Sequence, residues 1–160
     1  MLRIRCLSLV LVLLLLLAGS MASPVRAFDG RGGEKVVIAS DQIVDDDLYV
    51  SASEFILDGQ VNGDVVAVGG TITINGTVNG NLIAAGGALI LNGNVSGTVR
   101  IAGSAMRLGE KARVGRDLVA AGYSLEVQKG STIGRDVLFA GGQCLLGGEV
   151  GRNVRVAGGG

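Results

Sequence analysis

Histidine and tryptophan are absent from this chain of 160 residues, proline occurs once, and aromatic residues make up only 3%. Without histidine there is no imidazole to serve as general base near neutral pH or as metal ligand, which speaks against most enzymes built on repeat scaffolds. Beyond residue 27 the aromatics are Phe28, Tyr49, Phe55, Tyr123 and Phe139, too few and too scattered for a sugar-stacking platform. Cysteine is nearly missing: Cys6 lies in the N-terminal apolar run and Cys144 stands alone after it. No intrachain disulfide is available to the mature chain, so its core has to hold it. No apolar stripe of 3.6-residue period follows the N-terminal run, which excludes amphipathic helices.

What is present is glycine, 28 residues, together with a 48% hydrophobic content made almost wholly of Val, Leu, Ile and Ala. Disordered glycine-rich chains are poor in branched aliphatics, so this combination points instead to many short strands joined by tight turns. The first segment reads as an address. Arg3 and Arg5 precede an apolar run from Leu7 to Ala18, and small residues follow, with cleavage sites after Ala22 or after Ala27. Residues 1–27 therefore form a secretory signal, or, if uncleaved, an anchor, because Cys6 to Ala22 is uncharged over about 17 residues. Position 20 is Ser, which excludes lipidation after Leu17-Ala18-Gly19. The expected location is beyond the cytoplasmic membrane: secreted, periplasmic or envelope-associated, or anchored there by an uncleaved signal.

The formal charge of zero conceals an asymmetry. From Phe28 to Val99 there are 2 basic and 9 acidic residues, a net of −7, and from Arg100 to Gly160 there are 9 basic and 5 acidic, a net of +4.

An internal repeat sets the architecture. Val61 opens the block VNGDVVAVGGTITINGT and Val78 opens VNGNLIAAGGALILNGN; Val44 to Gln60 is a diverged copy of the same length. Val95–Arg113 and Val114–Thr132 are longer by two, the additions falling near Glu110-Lys111 and Lys129-Gly130. Ile133–Glu149 returns to the shorter length, and Val150 opens a partial block. Five apolar columns recur. They are exemplified by Val65, Ala67, Ile72, Ile74 and Val61, whose counterparts in the next block are Leu82, Ala84, Leu89, Leu91 and Val78. Alternate facing within two short runs, plus a fifth column at the block start, describes a three-sided prism. The expectation is an all-β, right-handed parallel β-helix of about seven coils spanning 44–160, each of about 17–19 residues. Residues 28–43 are then an N-terminal leader or cap containing Val36-Val37-Ile38. Stacked at about 4.8 Å, seven coils make a rod about 30 Å long. The glycine column Gly69, Gly86, Gly103, Gly122, Gly141 and Gly158 marks a corner where φ is positive or backbones crowd. The chain reaches Gly160 partway through a coil, so either the sequence is a fragment or the bare end is a pairing surface.

The blocks VNGDVVAVGGTITINGT and IGRDVLFAGGQCLLGG resemble those of the bactofilins, the polymer-forming cytoskeletal family of bacteria, over roughly Val44 to Gly160. The resemblance implies a β-helix that polymerises end to end without nucleotide, often at a membrane. The better-known members are cytoplasmic, whereas this chain begins with an export signal and looks more like an exported branch of the family.

Candidate functional residues fall into four groups. Arg116, Arg135 and Arg152 share one position in successive blocks and either are compensated by Asp117 and Asp136 or form a basic strip for an anionic partner. Asp47, Asp64, Asp117 and Asp136, with Asn81, Thr98 and Asn153, form a column that is a polar ladder at a strand start or, with Asp45 and Asp46, a carboxylate cleft or calcium site. Val44, Leu48, Val150, Val154 and Val156 are the candidate assembly-end residues. Outward-facing Val66, Ile83, Ile90, Val119, Leu138 and Leu145 are an apolar patch for lateral packing or a membrane, unless flanking segments cover them. Cys144 reads as a core residue, with no histidine to activate it.

No catalytic, cofactor or metal residue is expected. The leading function is a self-assembling scaffold whose partner is itself, head to tail, at the envelope, with the acidic front half meeting the basic back half. An alternative is a non-polymerising stalk or binding module for membrane or an anionic envelope polymer. A third is an acyltransferase-like or carbohydrate-active β-helix enzyme, which the missing histidine opposes. Neither nucleic acid nor a small-molecule substrate is expected as partner.

Overall fold

The computed structural model describes residues 29–158, all of it strands and turns without a helix. The expected export signal, residues 1–27, lies outside the described residues. No described helix is long and apolar enough to cross a membrane.

Each repeat folds as one ten-residue strand followed by a two-residue strand. The long strands are β1 (Asp29–Ile38), β3 (Leu48–Leu57), β5 (Val65–Ile74), β7 (Leu82–Leu91), β9 (Val99–Leu108), β11 (Leu118–Val127) and β13 (Val137–Leu146), and the shorter β15 (Val154–Gly158) continues the series. They stack as one parallel eight-stranded sheet in chain order. The short strands are β2 (Ile43–Val44), β4 (Gln60–Val61), β6 (Thr77–Val78), β8 (Asn94–Val95), β10 (Arg113–Val114), β12 (Thr132–Ile133) and β14 (Glu149–Val150), and they form a second sheet of seven. The fold is a parallel β-solenoid.

The inward columns are those of the repeat. Val65, Ala67, Ile72, Ile74 and Val78 are all within 1% of complete burial, and Phe55 and Phe139 fill the axis. Ala67 and Ile72 both face inward although an odd number of positions separates them, so the pleat changes phase in between. That change occurs at the corner Gly69-Gly70, where the long strand bends from one side of the prism to the next. Crowding is what selects glycine there. A Cβ on Gly86 would lie 2.5 Å from the carbonyl oxygen of Gly69, and one on Gly103 would lie 2.6 Å from that of Gly86.

Two departures from the uniform spacing are absorbed at one corner. The β9–β11 and β11–β13 registers each advance two positions further than their neighbours, as Val99↔Leu118 and Leu118↔Val137 show, yet every facing is kept. The additional residues form turns, closed by Ala112 N–H donating to the Gly109 carbonyl (2.9 Å) and Ser131 N–H to that of Gln128 (3.2 Å). Gly130, with φ of 98°, supplies the left-handed residue of the second turn.

The stack begins earlier than the repeat spacing indicated. The segment expected as a leader is itself a rung: Asp29–Ile38 pairs with Leu48–Leu57 at the same longer offset, Asp29↔Leu48 to Ile38↔Leu57. Val36 and Ile38 are buried at 8% and 0% exposure above Phe55 and Leu57. On the other half of that rung the inward columns hold Asp29 and Arg31 over Leu48 and Val50, joined by an ion pair at 2.8 Å.

Candidate functional site

The polar residues lie on the corners and outer faces and are organised by the repeat into ladders. At the corner before each long strand, a side-chain oxygen of one rung accepts the backbone N–H of the equivalent residue in the next. Asp47 Oδ1 accepts from Asp64 N (2.7 Å), Asp64 Oδ1 from Asn81 N (2.7 Å), and Asn81 Oδ1 from Thr98 N (3.0 Å). The series resumes with Asp117 accepting from Asp136 N (3.2 Å) and Asp136 from Asn153 N (3.0 Å). A lone backbone donor at a tight corner would otherwise lack a partner, and the carboxylate supplies it. The Asp/Asn column is therefore the polar ladder of the two readings set out above. Among the described residues no three potential ligands converge on a metal position.

Asp136 shows the electrostatic consequence. Its carboxylate is held below the usual range chiefly by the Asn153 backbone N–H, then by the Asn153 side chain, with Arg152 and Arg155 adding smaller contributions. A carboxylate whose folded pKa is depressed stabilises the fold above its unfolded pKa and loses that contribution as pH falls through the folded value. The last rungs should accordingly loosen below about pH 4 and not on the alkaline side, a loss that amide hydrogen exchange at Asn153 would report. The ladder also makes a sharper prediction. Asp64→Ala strands the Asn81 N–H and should cost about 1–3 kcal/mol in thermal unfolding, whereas Asp64→Asn keeps an acceptor and should cost less than half as much.

Two further ladders, unread in the sequence, run along the third side. Asn75 Nδ2 donates to Asp58 Oδ1 (2.7 Å) and Asn92 Nδ2 to Asn75 Oδ1 (2.9 Å). Beside them Asn62 donates to Asp45 (2.8 Å) and Asn79 to Asn62 (2.9 Å). The signal was available as Asn or Asp recurring once per block just before a glycine.

Arg116, Arg135 and Arg152 are exposed and stacked, each backbone N–H donating to the preceding rung, at 3.1 Å in all three cases. No ion pair joins them to a described carboxylate. Asp117 and Asp136 commit an oxygen to the ladder instead of bridging to the guanidinium groups.

The candidate end residues divide. Leu48 is fully buried beneath β1 and so lies one rung inside that end, whereas Val44, 6% exposed, belongs to β2, the edge strand of the short-strand sheet. At the other end Val154 and Val156 stand in inward columns yet are 45% and 51% exposed, while Val150 is half-buried against the core. Cys144 occupies its expected inward column, and burial pushes its thiol pKa up, away from nucleophilic character.

The outward apolar residues fall on two different sides. Val66, Ile83, Val119 and Leu138 lie on the side of the first half-strand; Ile90 and Leu145 lie on the side of the second. That second side is neutralised by cross-strand ion pairs, Lys35–Glu54 (3.0 Å) and Arg107–Glu126 (3.1 Å). A cavity of about 10 Å³ lies between Ile72, Ile74, Leu89, Leu91 and Arg107.

Compared with family models, curated proteins and solved structures, the chain matches none.

Proposed function

We propose that this chain is a non-catalytic, self-assembling scaffold of the bactofilin kind, exported to the cell envelope and assembling end to end without nucleotide. The observation that carries the reading is the unbroken parallel ladder. Parallel pairing runs without a break from β1 to β15, and at the β15 rung Val154 and Val156 leave the inward columns open and apolar. Such an edge is a template for another strand of the same pattern. Charge supports one polarity, since the acidic front half of one copy favours the basic back half of the next. The envelope location rests on the N-terminal signal, with Arg3, Arg5 and the run Leu7 to Ala18.

Negative-stain microscopy and sedimentation of the full chain test this across concentration and salt. Filaments a few nanometres wide should form without nucleotide and dissolve as salt screens the end charges. Val154→Asp should abolish them while the circular dichroism of the strands persists. Rods that stay single at every concentration and salt overturn the proposal.

The unpaired arginine column favours a second reading, a stalk that binds an anionic envelope polymer. Salt-sensitive polyanion binding by single rods, lost on Arg135→Ala, would support it over the first.

A further inference from the structure

We propose that two copies of this chain also associate side by side, in antiparallel orientation, through the apolar face that carries Val66, Ile83, Val119 and Leu138. This pairing is independent of end-to-end assembly.

The three outer sides of the rod are not equivalent. The short-strand side is bordered by asparagine ladders over its first rungs and carries Arg113, Thr132 and Glu149 over its last, and the second half-strand side carries ion pairs. The first half-strand side has neither. Its outward columns are Tyr49, Val66, Ile83, Arg100, Val119, Leu138 and Arg155, and, two residues on, Ser51, Val68, Ala85, Ala102, Ala121, Ala140 and Ala157. Val68 is 56% exposed, Ile83 42% and Leu138 39%. A shallow, mostly apolar groove lies on its last three rungs, between Val119, Leu138, Ala140 and Arg155. An alanine column lets the backbones of two facing sheets approach closely, which a column of long polar side chains would prevent.

Size fits a second copy. The seven rungs from β3 to β15, spaced at about 4.8 Å, and a face with its bordering corner about 20 Å wide, give on the order of 600 Å² a side. The pair would bury about 1,200 Å² in total, at the low end of specific interfaces.

Charge selects the orientation. The corner along one edge of this face is acidic at the first rungs (Asp45, Asp46, Asp47, Asp64) and basic at the last, where Arg116, Arg135 and Arg152 outnumber Asp117 and Asp136. A two-fold axis perpendicular to the rod lays this edge on itself in reversed rung order. The acidic end of each copy then meets the basic end of the other, and symmetry makes the contact twice. A parallel pair sets the same edge against the glycine corner and gains no such complement. An anionic membrane would attract one end of the face and repel the other.

With the axis at β9, midway between β3 and β15, Ile83 faces Val119, Val66 faces Leu138, and Ala102 faces its own counterpart. Arg100 also faces itself, a like-charge contact that weakens the pair.

Disulfide trapping tests this on the full chain carrying Cys6→Ser and Cys144→Ser, with Val154→Asp added to remove end contacts. Ala102→Cys should cross-link to itself, and Ala85→Cys should cross-link to Ala121→Cys in a mixture but not to itself. In sedimentation, Arg100→Leu should tighten the dimer at least ten-fold and Val68→Asp should weaken it at least ten-fold, with unchanged thermal unfolding. Cross-linking of Ala85→Cys to Ile83→Cys, which marks a parallel pair, overturns the proposal. So does the absence of all cross-links in a chain that sediments as a monomer, or that instead binds phosphatidylglycerol vesicles through Val68.

Discussion

Gly122→Ala is expected to lower the stability of the solenoid by about 3 kcal/mol, a fall of about 10 °C in thermal midpoint for a domain of this size. The reason is backbone, not side chain. A Cβ at this position would run into the Gly103 carbonyl oxygen of the rung before it and would press on the Met106 methyl group at 3.0 Å. A carbonyl in a strand ladder has nowhere to go. Its displacement separates β9 from β11 at the corner, loosening ladder hydrogen bonds worth about 1 kcal/mol each. Neighbouring glycines provide the control. Gly87 lies one residue along the same kind of corner, but its Cβ would stop 3.0 Å from the Gly70 carbonyl, a contact relieved by a few tenths of an ångström. Gly87→Ala should therefore cost less than about 1 kcal/mol. Thermal unfolding by circular dichroism separates the cases. Because Gly122 also has a φ of 156°, Gly141→Ala, crowded against the Gly122 carbonyl oxygen at an ordinary φ, should lose as much. A small loss there would assign the Gly122 effect to backbone conformation, not to crowding.

The second large effect concerns assembly. Asp29→Leu with Arg31→Val installs in the first rung the residues that the same columns hold in the second, Leu48 and Val50. In the native chain those columns open on a bonded ion pair, Arg31 donating to Asp29 from both Nη2 (2.8 Å) and Nε (3.2 Å). Inward-pointing charge is a recognised brake on edge pairing, because stacking another strand over it removes two hydrated groups from water. Exchanging it for two aliphatic side chains should lower the critical concentration for filaments at least about ten-fold, equivalent to about 1.4 kcal/mol per contact. Light scattering gives the critical concentration and electron microscopy the morphology. An unchanged critical concentration, or amorphous aggregate in place of filaments, would show that this edge takes no part in growth.

The brake also explains why the first rung was hard to read. Val36 and Ile38 match the columns of Phe55 and Leu57, but Asp29 and Arg31 break the other two, and the offset is the longer of the two spacings. Extending the longer spacing seen at Val95 and Val114 back by one block would have found it. The five inward columns, the corner and the position of the additional residues at Glu110-Lys111 and Lys129-Gly130 were legible because burial imposes them on every rung alike. The Asp47 column was legible as a polar ladder for the same reason, since the orphan N–H recurs at every corner. The outward apolar residues were legible singly but not as faces. The phase change at Gly69-Gly70 decides which side each one joins, and that sent Ile90 and Leu145 away from Val66, Ile83, Val119 and Leu138. The alanine column beside them gave no signal, because alanine is equally at home inside and outside a protein.

The turns at Gly109–Ala112 and Gln128–Ser131 have a consequence for how such a rod changes over time. A single residue gained or lost within Val65–Ile74 would swap every subsequent side chain between core and solvent, so the long strands are closed to length variation. The corner after each long strand is not. It already takes up two residues at three rungs, counting the Ser40-Asp41 turn, without disturbing the register beyond. Insertions tolerated by this lineage should collect along that single vertex, and a peptide tag placed between Lys129 and Gly130 would be displayed there as a regular axial row in any polymer the chain builds.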